Sequence, residues 1–302
     1  MLEFSKLTLN DIERIKTFFP YSNNRICNNT IGGVFIWRDF FSMEYAVCND
    51  TVIFKAQARY SDIKTAFSVP LGIDVRGSID RVIEYCRFNG IPIAFYGVTD
   101  KDIGLLRSIF DKYQLFTEAD WDDYIYIARD LTDLEGRKYS SKRNHINHFK
   151  KAYKNYSFEV MTESNLPHVR EFFIQLSSNQ LLDSDTAVED QAKTIEVLDN
   201  FDTYGFHGGL LRVDGNVVAF SAGEVNNDVL FVHIEKADMQ YKGAYQVINN
   251  EFAKHFASDG VEYINREEDD GDEGLRFSKL SYHPYEILEK YIFVPLRTPE
   301  DP

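Results

Sequence analysis

Between Gly208 and Asn265 the order of apolar runs and turn signals leaves few folds open to this chain. Two strand-like runs, Gly208–Val213 and Asn216–Glu224, meet at Asp214–Gly215, a pair suited to the positive φ angles of a two-residue hairpin turn. A third run, Asp228–Ala237, leads into the loop Met239–Ala244. Tyr245–Phe256 then places apolar residues at helical spacing, and Val261–Asn265 reads as one more strand. Central antiparallel strands followed by a helix crossing to another strand predict an α/β (α+β) domain on a mixed, mostly antiparallel sheet.

The flanking segments extend this pattern. Phe158–Met161 reads as a strand, Asn165–Leu176 and Ala187–Asn200 as helices, Leu275–Leu280 as a helix and Ile287–Leu296 as a final strand. The first half has the same rhythm without the same residues. It offers a helix over Leu9–Phe19 with Asn10 as cap, a hairpin over Tyr45–Ala58 turning at Asn49–Asp50, and a helix over Ile79–Asn89 stopped by Gly90. Pro92–Tyr96, Asp100–Tyr113 and Asp123–Ala128 follow as strand, helix and strand. A chain of 302 residues with 44% hydrophobic content suits two cores of about 150 residues each. The expected boundary lies near residue 155, giving domains 1–155 and 156–302. No Pro/Gly/Ser-rich linker separates them, so packed halves are expected.

Net charge is −15, which opposes non-specific binding to DNA, RNA or anionic lipid. One segment breaks this rule. Between Glu135 and Glu159 there is no acid, and Arg137, Lys138, Lys142, Arg143, Lys150, Lys151 and Lys154 accumulate around Ile146, Phe149 and Tyr153 at helical spacing. Such a helix over 137–154 can dock phosphate, from a tRNA or another phosphate-bearing ligand, or can neutralise acids elsewhere in the chain. Cys27, Cys48 and Cys86 show no C-x-x-C spacing, which fits reduced thiols in a cytoplasm and argues against a zinc site. No run approaches the ~18 apolar residues of a membrane span, so no integral membrane segment is expected.

The other charge anomaly is the tract from Ile264 to Pro284. Glu267, Glu268, Asp269, Asp270, Asp272 and Glu273 are interrupted only by Gly271, and Arg276 and Lys279 follow. Like charges this dense need water, cations or a ligand. The tract is acidic enough to attract Ca²⁺ but lacks the alternation of a calcium loop, and no metal is expected. Lying at a strand-to-helix corner, it reads as one wall of a site. In the plainer reading Glu267 or Asp269 caps the next helix and the other acids are solvated.

The strand–loop–helix of Val229–Phe256 resembles the Gcn5-related acetyltransferase (GNAT) fold. The resemblance implies that Gln240, Tyr241, Lys242, Gly243 and Ala244 form the loop whose backbone N–H groups cradle the pyrophosphate of an acyl-CoA at a helix N-terminus. Tyr245 stands where that family has a small residue. A closer resemblance covers nearly the whole chain. NREEDDGDEGLRFSKLSYHP looks like the signature of a bacterial family that includes the soluble C-terminal part of phosphatidylglycerol lysyltransferases, and SSKRNHINHFKKAY resembles a helix of that family. Its members are two acetyltransferase-like domains in tandem, as are the Fem-type peptidyltransferases that use aminoacyl-tRNA.

The resemblance implies a degenerate N-terminal copy and a donor site between the splayed central strands of the C-terminal one. It implies acyl transfer, foremost of an aminoacyl group from aminoacyl-tRNA to an amine or hydroxyl. The alternatives are an acyl-CoA-dependent N-acyltransferase and a catalytically silent binding module. Glu267 or Asp269 would hold the α-amino group of the donor or accept a proton. Arg276 and Lys279 would meet a phosphate or the developing negative charge, and Tyr282 would reprotonate a leaving group. Glu224 is a further candidate base, and His233 on the neighbouring strand reads as a hydrogen-bonded structural residue. Lys142, Arg143, Lys150, Lys151 and Lys154 would dock the tRNA or phosphate.

Overall fold

In a computed structural model of the protein, the described residues are 1–57, 63–178, 184–258 and 260–297. Ala58, the expected end of the first hairpin, lies outside them. The chain forms two compact units. One comprises Met1–Asp123, Glu268–Asp272 and Ile287–Pro302, and the other Tyr124–Glu267 and Glu273–Glu286. Each has a mixed α/β architecture on its own sheet. The division therefore falls at Asp123/Tyr124 rather than near residue 155.

The first unit orders its strands as Ser5–Lys6, Glu44–Cys48, Thr51–Gln57, Thr65–Ser68, Phe95–Val98, Tyr291–Pro295 and Tyr113–Phe116, with Leu71–Gly72 pairing beside Thr51–Gln57. The first hairpin turns where expected, with Asn49 and Asp50 both at positive φ. The helix Val75–Asn89 ends at Gly90 in the left-handed conformation. The segment expected as one helix over Leu9–Phe19 forms only two short turns, capped by a Thr8–Asp11 box instead of Asn10. The helix from Asp100 stops at Arg107, and Tyr113 opens a strand. Phe293 packs with Phe67, Phe95 and Phe110, so the C-terminal strand completes the first core, whereas the element order suggested the second.

Lys290, just before that strand, is 5% exposed. Its ammonium lies 2.9 Å from Asp123 Oδ1, 3.0 Å from Glu268 Oε2 and 3.6 Å from Cys27 Sγ. Cys27, Asp123 and Glu268 have the spacing of a metal-ligating group, and the ammonium touches all three.

The second unit carries a sheet ordered Glu286–Leu288, Asp123–Ile127, Tyr263–Asn265, Val229–Ala237, Asn216–Asn226, His207–Val213 and Tyr156–Val160. The hairpin at Asp214–Gly215 forms, with both residues at positive φ. Val229–Ala237 pairs antiparallel with Asn216–Asn226 on one side and parallel with Tyr263–Asn265 on the other. The parallel pairing stops at Phe231 and Asn265, so residues 232–237 and the chain after Asn265 are unpaired with each other. Polar side chains fill the resulting wedge. The helix Ser140–Ala152 buries Ile146 and Phe149 in this core, together with Val247, Ile248 and Phe252 of the helix Ala244–Phe256. That packing, with the pairing of Ile125–Ile127 to Tyr263–Asn265, is why residues 124–155 belong here. Among the described residues no helix is long and apolar enough to cross a membrane.

Candidate functional site

The register between Asn216–Asn226 and Val229–Ala237 slips at Ala222/Gly223. Ala222 faces Ile234 and Gly223 faces Val232, leaving His233 unpaired at a bulge. Only glycine fits opposite it, because a Cβ on Gly223 would lie 2.0 Å from the Phe231 carbonyl oxygen. His233 points into the wedge with no exposed side-chain surface. Its Nε2 is 2.9 Å from Glu224 Oε1 and its Nδ1 2.7 Å from Glu267 Oε1. Burial disfavours the imidazolium, but the two carboxylates outweigh it and hold the pKa up at about 10. His233 is therefore a charged bridge between two acids.

Glu267 reaches it through a strained turn. Its φ is +58°, and its N–H donates to Asn265 Oδ1 at 2.6 Å. Lys279 Nζ in turn donates to the Glu267 carbonyl at 3.1 Å.

Glu235, two residues along the strand, anchors a second cluster. Arg266 Nη2 donates to Glu235 Oε1 at 3.0 Å, and Asn249 Nδ2 donates to Oε2 at 3.0 Å. Tyr282 is 3% exposed and stacks against two cations, with Arg266 Cζ 5.0 Å and Lys142 Nζ 3.9 Å from its ring centroid. Burial pushes the Tyr282 phenol well above its usual range, so it is neutral. Lys142 is 8% exposed, and burial with the neighbouring Arg266 charge brings its pKa down to about 8 against the opposing pull of Glu235. Two buried polar atoms in this cluster have no partner: Arg266 Nη1 and Asn249 Oδ1. One is a donor and the other an acceptor, and they flank the same carboxylate.

The expected residues divide accordingly. Glu224, Glu267, Lys279 and Tyr282 lie in this polar wedge. Arg276 is partly exposed on the helix Glu273–Leu280, while Lys279 on the same helix is buried. Asp269 is in the other unit, fully buried and accepting from the Gly271 N–H at 3.0 Å, a turn-forming role. In the loop, Gln240 N–H donates to Asp238 Oδ1 and Tyr241 packs on Tyr153. Gly243 has φ +96°, and a Cβ there would sit 2.7 Å from the His145 carbonyl oxygen, so close approach of the basic helix accounts for this glycine. Lys242 is exposed, and Ala244 is buried at the start of its helix.

On the basic helix, Arg143 donates to the carbonyls of Leu134 and Gly136, and Lys150 pairs with Glu251. Lys151 and Lys154 are exposed. The structure adds Glu235, Arg266, Asn249 and Ser281 to the candidates. One signal was available in advance: Glu235 shares a strand face with His233 at a spacing of two.

The family model described as phosphatidylglycerol lysyltransferase, C-terminal, matches residues 19–294. A solved structure of a conserved protein of unknown function from Bacteroides thetaiotaomicron is 33% identical, covers 98% of this chain and 100% of its own, and superposes with a TM-score of 0.90. The structure of L-PGS from Bacillus licheniformis is 14% identical over 95% of this chain and 92% of its own, with a TM-score of 0.65. That of FemX is 10% identical over 96% of each chain, with a TM-score of 0.59. The chain also matches an uncharacterized protein of Mycoplasmoides gallisepticum at 23% identity over 177 residues, spanning about half of that protein's length (55%). The two α/β units, each on a mixed sheet, make up a chain that belongs to the family of the phosphatidylglycerol lysyltransferase C-terminal domain.

Proposed function

We propose that the second unit transfers an aminoacyl group from an aminoacyl-tRNA to an amine or hydroxyl acceptor. The observation that carries this reading is the pair of orphaned atoms beside Glu235. Arg266 Nη1 offers a donor and Asn249 Oδ1 an acceptor, both buried and unsatisfied. An acetyl group has a carbonyl acceptor and nothing to donate. An aminoacyl ester has a carbonyl for Arg266 and an α-ammonium for Asn249, with the Glu235 carboxylate between them. Leaving either atom unpaired costs about 1–3 kcal/mol, which binding of such a ligand recovers. Membership of a family named for a lysyltransferase supports the same class of donor. The His145 carbonyl against Gly243 opposes the CoA alternative, because a carbonyl oxygen there repels a pyrophosphate.

In the transfer step Arg266 stabilises the negative charge that develops on the carbonyl oxygen. Glu224 and Glu267 hold His233 as a fixed cation behind it, and Lys279 fixes the turn that aims Glu267. No metal has a step in this scheme.

A non-hydrolysable lysyl-adenosine amide tests the donor. At 100 times its Kd it is expected to stabilise the protein by ~2.7 kcal/mol. Arg266→Lys retains the charge but loses the second nitrogen of the fork, and is expected to bind the amide at least tenfold more weakly. Stabilisation by acetyl-CoA and none by the amide would sink the reading.

We assign tRNA docking to Lys151 and Lys154, since Lys142, Arg143 and Lys150 are bonded within the unit. Changing both to Glu should weaken tRNA binding and flatten its salt dependence by about 1 in log–log slope for each lysine. Fold stability should stay within about 0.5 kcal/mol. Affinity and slope that do not move return this helix to a packing role.

A further inference from the structure

Ser281 and Lys142 are 139 positions apart in sequence, yet Lys142 Nζ lies 2.5 Å from Ser281 Oγ. Ser281 follows the helix Glu273–Leu280 and is partly exposed, whereas Lys142 is 8% exposed behind it. Ser281 is thus the more exposed residue of the pair. Its other contact is to the Ser278 carbonyl at 2.5 Å, so rotation of the hydroxyl proton alone turns it from that carbonyl towards Nζ. Lys142 and Arg266 both stack on the Tyr282 ring, and Arg266 Nη1 is buried without a partner. A hydroxyl, an amine base and a buried unpaired donor are the parts of a nucleophilic acyl-transfer centre.

We propose that Ser281 is a nucleophile activated by Lys142, and that aminoacyl transfer passes through an aminoacyl-Ser281 ester. The proposal rests on the donor reading above. Neutral Lys142 takes the Ser281 proton as Oγ bonds to the carbonyl carbon of the aminoacyl ester. The bond from that carbon to the ribose oxygen breaks, and the ribose oxygen leaves with the proton from Lys142. The acceptor N–H or O–H then gives its proton to Lys142 as it attacks the Ser281 ester, and Oγ leaves and recovers that proton. Nothing is oxidised or reduced, and the donor ester and acceptor are the only co-reactants.

The groups facing Lys142 keep part of it neutral near neutral pH. Arg266 remains a cation, the Tyr282 phenol is neutral, Ser281 carries no charge, and Glu235 is the one acid acting against the lowered pKa of about 8. An arginine at position 142 would keep a cation and a donor to Ser281 but could not take the proton.

A fluorophosphonate probe, which labels base-activated serines, tests the pair without any donor. The wild-type chain is expected to label at Ser281, at a rate rising with pH through about 8. Ser281→Ala is expected not to label, and Lys142→Arg to label about 10²–10⁴-fold more slowly. Thermal melting checks that both variants fold. Absence of labelling in folded wild-type protein, or labelling that persists in Ser281→Ala, overturns the nucleophile.

Lysyl-tRNA carrying a radiolabelled lysine separates the two readings. An acid-stable label on wild-type protein that is missing from Ser281→Ala supports the intermediate. Transfer by Ser281→Ala at the wild-type rate overturns the intermediate and leaves aminoacyl transfer standing. Wild-type protein that labels with fluorophosphonate but neither binds the lysyl-adenosine amide nor consumes lysyl-tRNA overturns the aminoacyl ester, and with it the donor reading.

Discussion

Replacing Lys290 by Met is expected to destabilise the first unit by about 3–5 kcal/mol, read as a lower urea midpoint with an unchanged slope. Methionine nearly matches lysine in length, so the loss is of charge rather than volume. Without the ammonium, Asp123 Oδ1 and Glu268 Oε2 face each other beside Cys27 Sγ, with Asp123 wholly buried. Asp123 cannot swing away, because its Oδ2 accepts from the Cys27 N–H at 2.7 Å. Asp122 keeps its bond from the Lys290 N–H, which the substitution does not touch. Adding Asp123→Asn to Lys290→Met should recover part of the loss, since removing both charges costs less than stranding one. A Lys290→Met protein within 0.5 kcal/mol of wild type would show that the cluster contributes nothing to stability.

His233→Gln should cost the second unit a similar ~3–5 kcal/mol near neutral pH, because the buried Glu224 and the partly buried Glu267 lose the cation between them. This loss depends on pH, and its sign is fixed by the raised pKa. Between the ordinary value of 6.5 and about 10, the folded state keeps a proton on His233 that the unfolded state has released. The stabilisation is complete below about 6.5 and is lost as pH rises through about 10. The gap between wild type and His233→Gln should narrow by roughly 1 kcal/mol per pH unit over that window. Lys142 works in the opposite direction. With its pKa lowered to about 8, its burial penalty fades as pH rises, so the comparison has to be made against the variant rather than from wild type alone. A gap that stays constant from pH 6 to 10 would mean that His233 is neutral in the folded protein.

Much of the fold was legible in the sequence. The hairpins at Asn49–Asp50 and Asp214–Gly215, the helix stop at Gly90 and the strand–loop–helix of 229–256 all follow from backbone preferences acting over a few residues. The structure departs from the sequence pattern where an apolar spacing continues past the end of its element. Ile109 and Phe110 extend the spacing of the helix from Asp100, but they are buried from a turn after the helix has stopped. Tyr291–Pro295 was legible as a strand, yet nothing in its sequence says which sheet it joins. Only the fit of Phe293 among Phe67, Phe95 and Phe110 decided that.

The site was legible as a region and not as a set of roles. A dense acidic tract beside Arg276 and Lys279 drew attention to residues 264–284, and Glu267, Lys279 and Tyr282 do line the polar wedge. Their partners were hidden. Lys142 looked like one of seven surface cations, and only its place behind Ser281 and Tyr282 sets it apart. Arg266 precedes the acids without belonging to them, and its value lies in Glu235 and in the nitrogen left unpaired.

The sequence by itself determined where strands, helices and turns form and where charge concentrates, because two-residue and 3.6-residue periods are local properties of the backbone. Which charges meet was decided by the tertiary structure. Glu224, His233 and Glu267 come from a hairpin strand, a bulge and a strained turn, and Lys142 and Ser281 lie 139 positions apart. Such pairs exist only after distant elements have closed on one core, and no local pattern records which partner a buried charge will find.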